Sequence, residues 1–217
     1  MSSEPRLLAA GRASEILDLG DGRVLRRFKA GGNPEREALA MRHARERGYP
    51  APEVFEVAAD SLVLERIEGP TMLEAVAKER LRLQENARLL AHLHDELHAI
   101  EAPDGLPTVG EGDRLLHLDL HPANVILSPA GPVVIDWANA RRGEPLFDVA
   151  FTWLICSTSS GVGRLGVEFA ERFSAYFDRD RVLRHLPAAV ERRLADPNVL
   201  DEERERIREL AAHGAGR

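Results

Sequence analysis

The chain is patterned for strands at its start and for helices over most of the remainder. Residues 6–10, 15–19 and 23–28 (RLLAA, EILDL, RVLRRF) read as strands joined by tight turns, one of them Gly20-Asp21-Gly22. Asn33-Pro34 is a cap followed by proline at the first helical position, which predicts a helix from residue 34 to Gly48 with Glu37, Met41 and Ala44 facing inward. Tyr49-Pro50-Ala51-Pro52 must be extended, because each proline pushes its predecessor out of helical geometry. Two more strands, PEVFEV and SLVLERI, end at Glu68-Gly69-Pro70. From Thr71 the period is helical. Leu90, Leu93, Leu97 and Ile100 form a stripe that predicts a core helix over 85–100. Further helices are predicted over 146–156, 167–177 (Phe169, Phe173, Tyr176), 181–195 and 201–212, and a hairpin interrupts them within 114–136. The fold class is α+β: a small antiparallel sheet with one helix, then a mainly helical part carrying an inserted hairpin.

Length and composition narrow the class. A chain of 217 residues with 44% hydrophobic content can bury a core as one domain, divided into lobes at about 1–68 and 69–217. The net charge of −7 argues against a nucleic acid or an anionic membrane as main partner. Lys29 and Lys78 are the only lysines, so arginine carries nearly all the positive charge. One cysteine, Cys156, excludes an internal disulfide and reads as a small buried apolar residue. The start MSSEPRLL lacks the basic and apolar segments of a signal peptide, and the longest apolar run, residues 149–156, is too short to span a bilayer. The expected location is cytoplasmic.

The candidate chemistry lies in HLDLHPANV, residues 117–125, and VVIDWAN, residues 133–139. Between Asn124 and Asp136, two β-branched-rich segments flank Ser128-Pro129-Ala130-Gly131-Pro132, a hairpin that brings Asn124 close to Asp136. One amide oxygen and one carboxylate then converge as hard ligands suited to Mg²⁺, which shares itself with substrate phosphates. Asp119 sits one loop away, free to accept a proton. This layout predicts phosphoryl transfer.

On these residues the chain resembles the aminoglycoside phosphotransferase and choline kinase branch of the protein-kinase-like fold, from about Leu8 to Ile155. His117-Leu118-Asp119-Leu120-His121-Pro122-Ala123-Asn124 matches the family's H-G-D-x-H-x-x-N, with Leu118 where glycine is usual. Ile135-Asp136-Trp137 matches I-D-W, and residues 143–150 (GEPLFDVA) match a later G-x-P-x-x-D-x-A. The resemblance implies a two-lobed kinase-like fold and transfer of a γ-phosphoryl group from ATP or GTP to a hydroxyl of a small acceptor. Asp119 would be the catalytic base, Asn124 and Asp136 the Mg²⁺ ligands, and His117 and Asp148 structural supports, Asp148 as a buried acceptor of backbone N–H bonds. On the nucleotide side, Arg26 stands where the family has a lysine, with Glu37 as its helix partner. Ser14, in Gly11-Arg12-Ala13-Ser14, falls where a phosphate-covering loop belongs, and the main chain of Glu65 and Ile67 would bond adenine. A one-residue slip of the third strand would exchange Arg26 with its neighbours Arg27 and Lys29, which otherwise face solvent.

Two other readings compete. Arginine is not equivalent to lysine, so a nucleotide-binding pseudokinase fits the Arg26 substitution. His117-x-Asp119-x-His121 would present three metal ligands on one face of a strand, as in a metal-dependent hydrolase. His92, His94 and His98 read as packing or surface residues of the core helix, and Arg141 and Arg142 as a solvated loop. Glu168, Glu171, Asp178 and Asp180 could suit a cationic acceptor, although surface acid is common.

Overall fold

The structure, a computed structural model, describes residues 5–11, 13–29, 32–161 and 163–213. Residues 1–4 and Arg12, the second residue of the expected phosphate-covering turn, lie outside them. Strands β1 (Arg6–Ala10), β2 (Ser14–Asp18), β3 (Arg23–Phe28), β4 (Val54–Val57) and β5 (Ser61–Glu65) form one antiparallel sheet in the order β1-β2-β3-β5-β4. The β2–β3 hairpin turns through Gly20 and Gly22 at φ 84° and 78°, values open to glycine without a Cβ clash. Along β3, Val24, Arg26 and Phe28 are buried and Arg27 is exposed, so the slipped register is not the one adopted.

Helix α1 (Pro34–Glu46) starts where Asn33 Oδ1 accepts the Arg36 N–H at 2.9 Å. Its buried face includes Glu37, Met41 and Ala44. The helix stops two residues before Gly48, which adopts φ 82°. Strand β5 ends at Glu65, so Arg66 and Ile67 belong to the connector between the sheet and the helical part.

Helix α2 (Met72–Lys78) opens with a reciprocal cap: Glu74 N donates to Thr71 Oγ1 and Thr71 N to the Glu74 carboxylate. Helix α3 (Leu83–His98) buries Leu90, Leu93 and Leu97; Ile100 is buried beyond its end. The centre of the helical part is α4 (Pro145–Thr158), in which Val149, Ala150 and Leu154 are fully enclosed. Around it pack α5 (Gly163–Ser174), α6 (Arg179–Ala195) and α7 (Asp201–His213). Helix α5 sits earlier than the expected 167–177. Phe169 and Phe173 enter the core, while Tyr176 lies past the helix end, half-exposed, its hydroxyl accepting from Gln84 Nε2 at 2.8 Å.

Two short sheets complete the helical part. In one, β10 (Arg141–Gly143) lies between β6 (Thr108–Val109) and β7 (Arg114–Leu116), so Arg141 and Arg142 are strand residues and not a solvated loop. Runs of two or three residues carry no readable period, which is why alternation did not reveal them. The other is the anticipated hairpin, β8 (Val125–Ser128) with β9 (Gly131–Val134). Its turn is tighter than expected, Pro129-Ala130, because Ser128 pairs with Gly131 and its hydroxyl donates to Gly131 O at 2.7 Å. No helix among the described residues is long and apolar enough to cross a membrane.

Candidate active site

The loop joining β7 to β8 is wound by its own backbone. His121 N donates to Asp119 O at 3.0 Å and Asn124 N to His121 O at 2.8 Å. Asn124 Nδ2 then donates both to Asp119 O (2.8 Å) and to Asp119 Oδ2 (3.0 Å), which aims that carboxylate. From the far end of the hairpin, Ile135 N donates to Asn124 O at 3.0 Å and so delivers Asp136 beside Asn124. Asp136 itself adopts a left-handed conformation, φ 65°.

The start of the loop hangs on Asp148, in the first turn of α4. This fully buried carboxylate accepts His117 N at 2.9 Å and Leu118 N at 2.8 Å, and lies 3.1 Å from His98 Nε2. Burial pushes its pKa up, but His98 and the backbone donors outweigh that and hold it at about 2. Those donors restrain Leu118 at φ 56°, where a side chain costs about 1–2 kcal/mol relative to glycine. A leucine is tolerated there because its side chain is entirely buried. The same left-handed residue breaks the extended alternation that a His117/Asp119/His121 metal cluster needs. The His117 ring instead packs edge-on against Trp137, 4.8 Å between centroids, and no group of three His, Cys, Asp or Glu among the described residues is placed to hold a metal.

Behind the loop runs a second set of contacts. Thr152 Oγ1 lies 2.9 Å from Leu120 O and 3.0 Å from His94 Nε2, while His94 Nδ1 lies 2.9 Å from Leu90 O. Burial lowers the His94 pKa to about 4, so the ring is neutral at neutral pH. His94 and His98 thus brace the loop between β7 and β8 from α3. The signal in the sequence was their spacing of four on the inward face of a core helix.

Arg26 connects the two parts of the molecule. Its Nη2 donates to Asp136 Oδ1 at 2.7 Å, and its Nη1 lies 3.2 Å from Glu37 Oε1, a charge pair without hydrogen-bond alignment. The guanidinium also stacks 5.2 Å above the Phe28 ring. Burial raises the Glu37 pKa to about 7, more than Arg26 lowers it, whereas at Asp136 the charge and hydrogen bond of Arg26 overcome burial and keep the carboxyl low. Between the sheet and the helical part lies a cavity of about 440 Å³ whose wall includes Val24, Arg26, Leu64, Glu65, Ile67 and Asp136. Glu65 spends its N–H on Glu53 O at 2.9 Å. Ser14 is buried at the start of β2 and does not line this cavity.

The donor set suits a hard divalent cation. Burial, and after it the neighbouring Asp136 charge, push the Asp119 pKa up to about 8, while Arg26 is spent on Asp136; a cation beside Asp136 would draw Asp119 back toward its ionised form. The Asp136 side chain keeps 38% of its surface open. With its NH₂ committed to Asp119, Asn124 has its amide oxygen to offer, so Asn124 and Asp136 fit Mg²⁺.

An antiparallel sheet packed with one helix, a helical part with an inserted hairpin, and a cavity between them lined by Arg26 and Asp136 define the protein-kinase-like fold. The RIO domain family matches residues 26–144, more than half of the chain, and the Phosphotransferase enzyme family matches residues 103–186. The chain belongs to the RIO domain family, whose match covers more than half of it, and it shares its fold with the aminoglycoside phosphotransferases and a choline/ethanolamine kinase family protein. Among solved structures it is similar to a thermostable mutant of aminoglycoside phosphotransferase APH(4)-Ia in apo form (TM-score 0.75, 17% identity, 99% of this chain and 96% of that one). Another form of that enzyme was solved as a ternary complex with ADP and hygromycin B. A choline/ethanolamine kinase family protein from Mesorhizobium loti is also similar (TM-score 0.63, 20% identity, 97% and 88% covered). A probable bifunctional tRNA threonylcarbamoyladenosine biosynthesis protein of Methanoculleus marisnigri is 25% identical over 185 residues, 76% of this chain. The chain spans 31% of that relative's length.

Proposed function

We propose that this protein is an ATP- or GTP-dependent, Mg²⁺-requiring phosphotransferase that moves the γ-phosphoryl group to a hydroxyl of a small molecule, the whole chain acting as one catalytic unit. The observation that carries the reading is the convergence of Asp119, Asn124 and Asp136: Asn124 bonds Asp119 through its side chain and Ile135 through its carbonyl, and Asp136 lines the inter-lobe cavity beside Arg26. Arg26, with Glu37 behind it, grips the α- and β-phosphates; the Glu65 carbonyl and the Ile67 N–H bond adenine; Asn124 and Asp136 hold the cation. Asp119 accepts the proton of the acceptor hydroxyl as its oxygen bonds to the γ-phosphorus and the bond from that phosphorus to the β–γ bridging oxygen breaks, releasing the nucleoside diphosphate. His117 and Asp148 keep the loop in shape.

Arg26 makes both contacts that a strand lysine would make, to the helix Glu37 and to Asp136, which favours an active enzyme over a nucleotide-binding pseudokinase. The test separates chemistry from binding. Asp119→Asn keeps nucleotide affinity by calorimetry while turnover falls by about 10²–10⁴, and Asp136→Asn weakens Mg-nucleotide binding itself. Wild-type turnover in Asp119→Asn would refute the assignment of the base.

A further inference from the structure

The His121–Ala123 end of the same loop borders a second cavity, of about 290 Å³, with a mostly apolar wall. It is enclosed by α2, the His121–Ala123 segment, the end of α4, α5, and single residues from α6 and α7. Val76, Ile155 and Phe169 represent its apolar lining, and its volume lies at the small end of ligand pockets. Two charged side chains reach it, Arg193 and Glu203, and they differ in how far the protein uses them.

Glu203 is fully engaged. Its Oε1 accepts Ser160 N and Oγ at 3.1 and 3.2 Å, and its Oε2 accepts Leu200 N at 3.3 Å. Burial raises its pKa, but these backbone donors together with the Arg193 charge outweigh that and keep it ionised. The carboxylate is a brace between α7 and the turn after α4. Arg193 is different. Its side chain is only 14% exposed, yet among the described residues its one ion pair is to Asp196 at 3.5 Å, the outer edge of hydrogen-bond range. The Asn198 N–H and side chain hold the other oxygen of Asp196, Oδ1, at 2.8 and 3.1 Å, and so fix the carboxylate at that distance. Five guanidinium N–H groups with one long contact among the described residues leave a largely desolvated cation with donors to offer. Arg193 shares the cavity wall with His121, whose Nε2 lies 3.5 Å from Asp119 Oδ1, so the pocket borders the Asp119 carboxylate. The acidic residues of the surface play no part here. Glu168 pairs with Arg80 and Arg164, Glu171 with Arg179, Asp178 caps α6, and none of these, nor Asp180, lines the cavity.

We infer that this cavity is the acceptor pocket and that Arg193 selects an anionic acceptor: a small hydroxy acid whose apolar body fills the cavity, whose carboxylate meets Arg193 and whose hydroxyl points to Asp119. The inference rests on the phosphotransferase reading and names its substrate class. It excludes a polycationic acceptor, which would set ammonium groups against Arg193.

Three matched probes test it: ω-hydroxyhexanoate, its methyl ester and ω-aminohexanol, titrated calorimetrically into the nucleotide-free protein and then used as acceptors in a coupled ADP-release assay. The acid binds at least about ten-fold more tightly than either analogue, as a charge-assisted pair at a desolvated site requires. Arg193→Gln closes that gap and Arg193→Lys restores part of it; far-ultraviolet circular dichroism and a melting curve check that both variants fold. Equal or tighter binding of the ester or amine, an undiminished acid preference in Arg193→Gln, or no binding by any probe overturns the anionic pocket. If the acid binds with its preference but no nucleotide is consumed, the pocket chemistry stands and the phosphotransferase reading falls. If the acid shows no preference while Asp136→Asn weakens Mg-nucleotide binding as expected, the pocket inference alone falls.

Discussion

Asp148→Asn isolates the joint on which the catalytic loop hangs. In the wild type, two backbone N–H groups, His117 at 2.9 Å and Leu118 at 2.8 Å, converge on one fully buried carboxylate with His98 at 3.1 Å. Asparagine offers one oxygen, so one N–H keeps its partner and the other faces an NH₂. A buried donor without an acceptor costs about 1–3 kcal/mol, and disrupting a buried charged pair about 3–5 kcal/mol. An independent figure comes from the ionisation of Asp148, held at about 2 against 3.8 for a free aspartate, worth about 2 kcal/mol in favour of the charged form. The two agree on a loss of about 2–5 kcal/mol, which in a chain of this length lowers Tm by about 5–15 °C. Urea titration followed by circular dichroism measures the loss directly. The sign with pH is also set. A depressed carboxyl contributes stability above its unfolded pKa and loses it as pH falls through the folded value. The gap between wild type and variant is therefore flat from neutral pH down to about 4 and narrows below. A loss under about 1 kcal/mol, with turnover intact, would refute the account of Asp148 as the support of the loop.

Leu118→Gly relieves left-handed strain of about 1–2 kcal/mol but removes a fully buried side chain worth about 2–5 kcal/mol. The variant is therefore less stable by about 1–3 kcal/mol in the same urea assay, and a gain in stability would show that strain, not packing, governs this position. His94, lowered to about 4 by burial, must charge on unfolding in acid; its contribution is intact above about 6.5 and is lost as pH falls toward 4. His94→Gln keeps a hydrogen-bonding side chain without a titrating ring, so its stability declines less steeply than the wild type's over that window, and parallel slopes would count against a neutral buried His94. The Asp119→Asn and Asp136→Asn pair tests base against cation ligand, and the Arg193 variants test the acceptor pocket.

The candidate site was legible because most of it is local in the chain. Asp119 and Asn124 lie five residues apart in one loop, and a twelve-residue hairpin with β-branched strands returns Asp136 to them, so chain order nearly dictates proximity. The Arg26 register was also recoverable, since strand alternation leaves one of two faces buried. What escaped notice joins distant segments. His98 meets Asp148 fifty residues away, and Arg193 reaches the pocket beside the catalytic loop from α6. No period announces such meetings, and the three-stranded sheet of β6, β7 and β10 is too short to alternate.

By itself the sequence determined the periodicities, the caps and glycine turns, and the type and spacing of groups able to bind a cation and accept a proton, because those depend on neighbours a few residues apart. Tertiary structure alone decided which charges meet and which are deprived of water. Glu37, Asp119 and Asp148 are the same chemistry in the sequence, yet their carboxyls settle near 7, 8 and 2. The difference is burial weighed against the donors brought by other elements. The same weighing leaves Glu203 spent as a brace and Arg193 beside it with donors to spare.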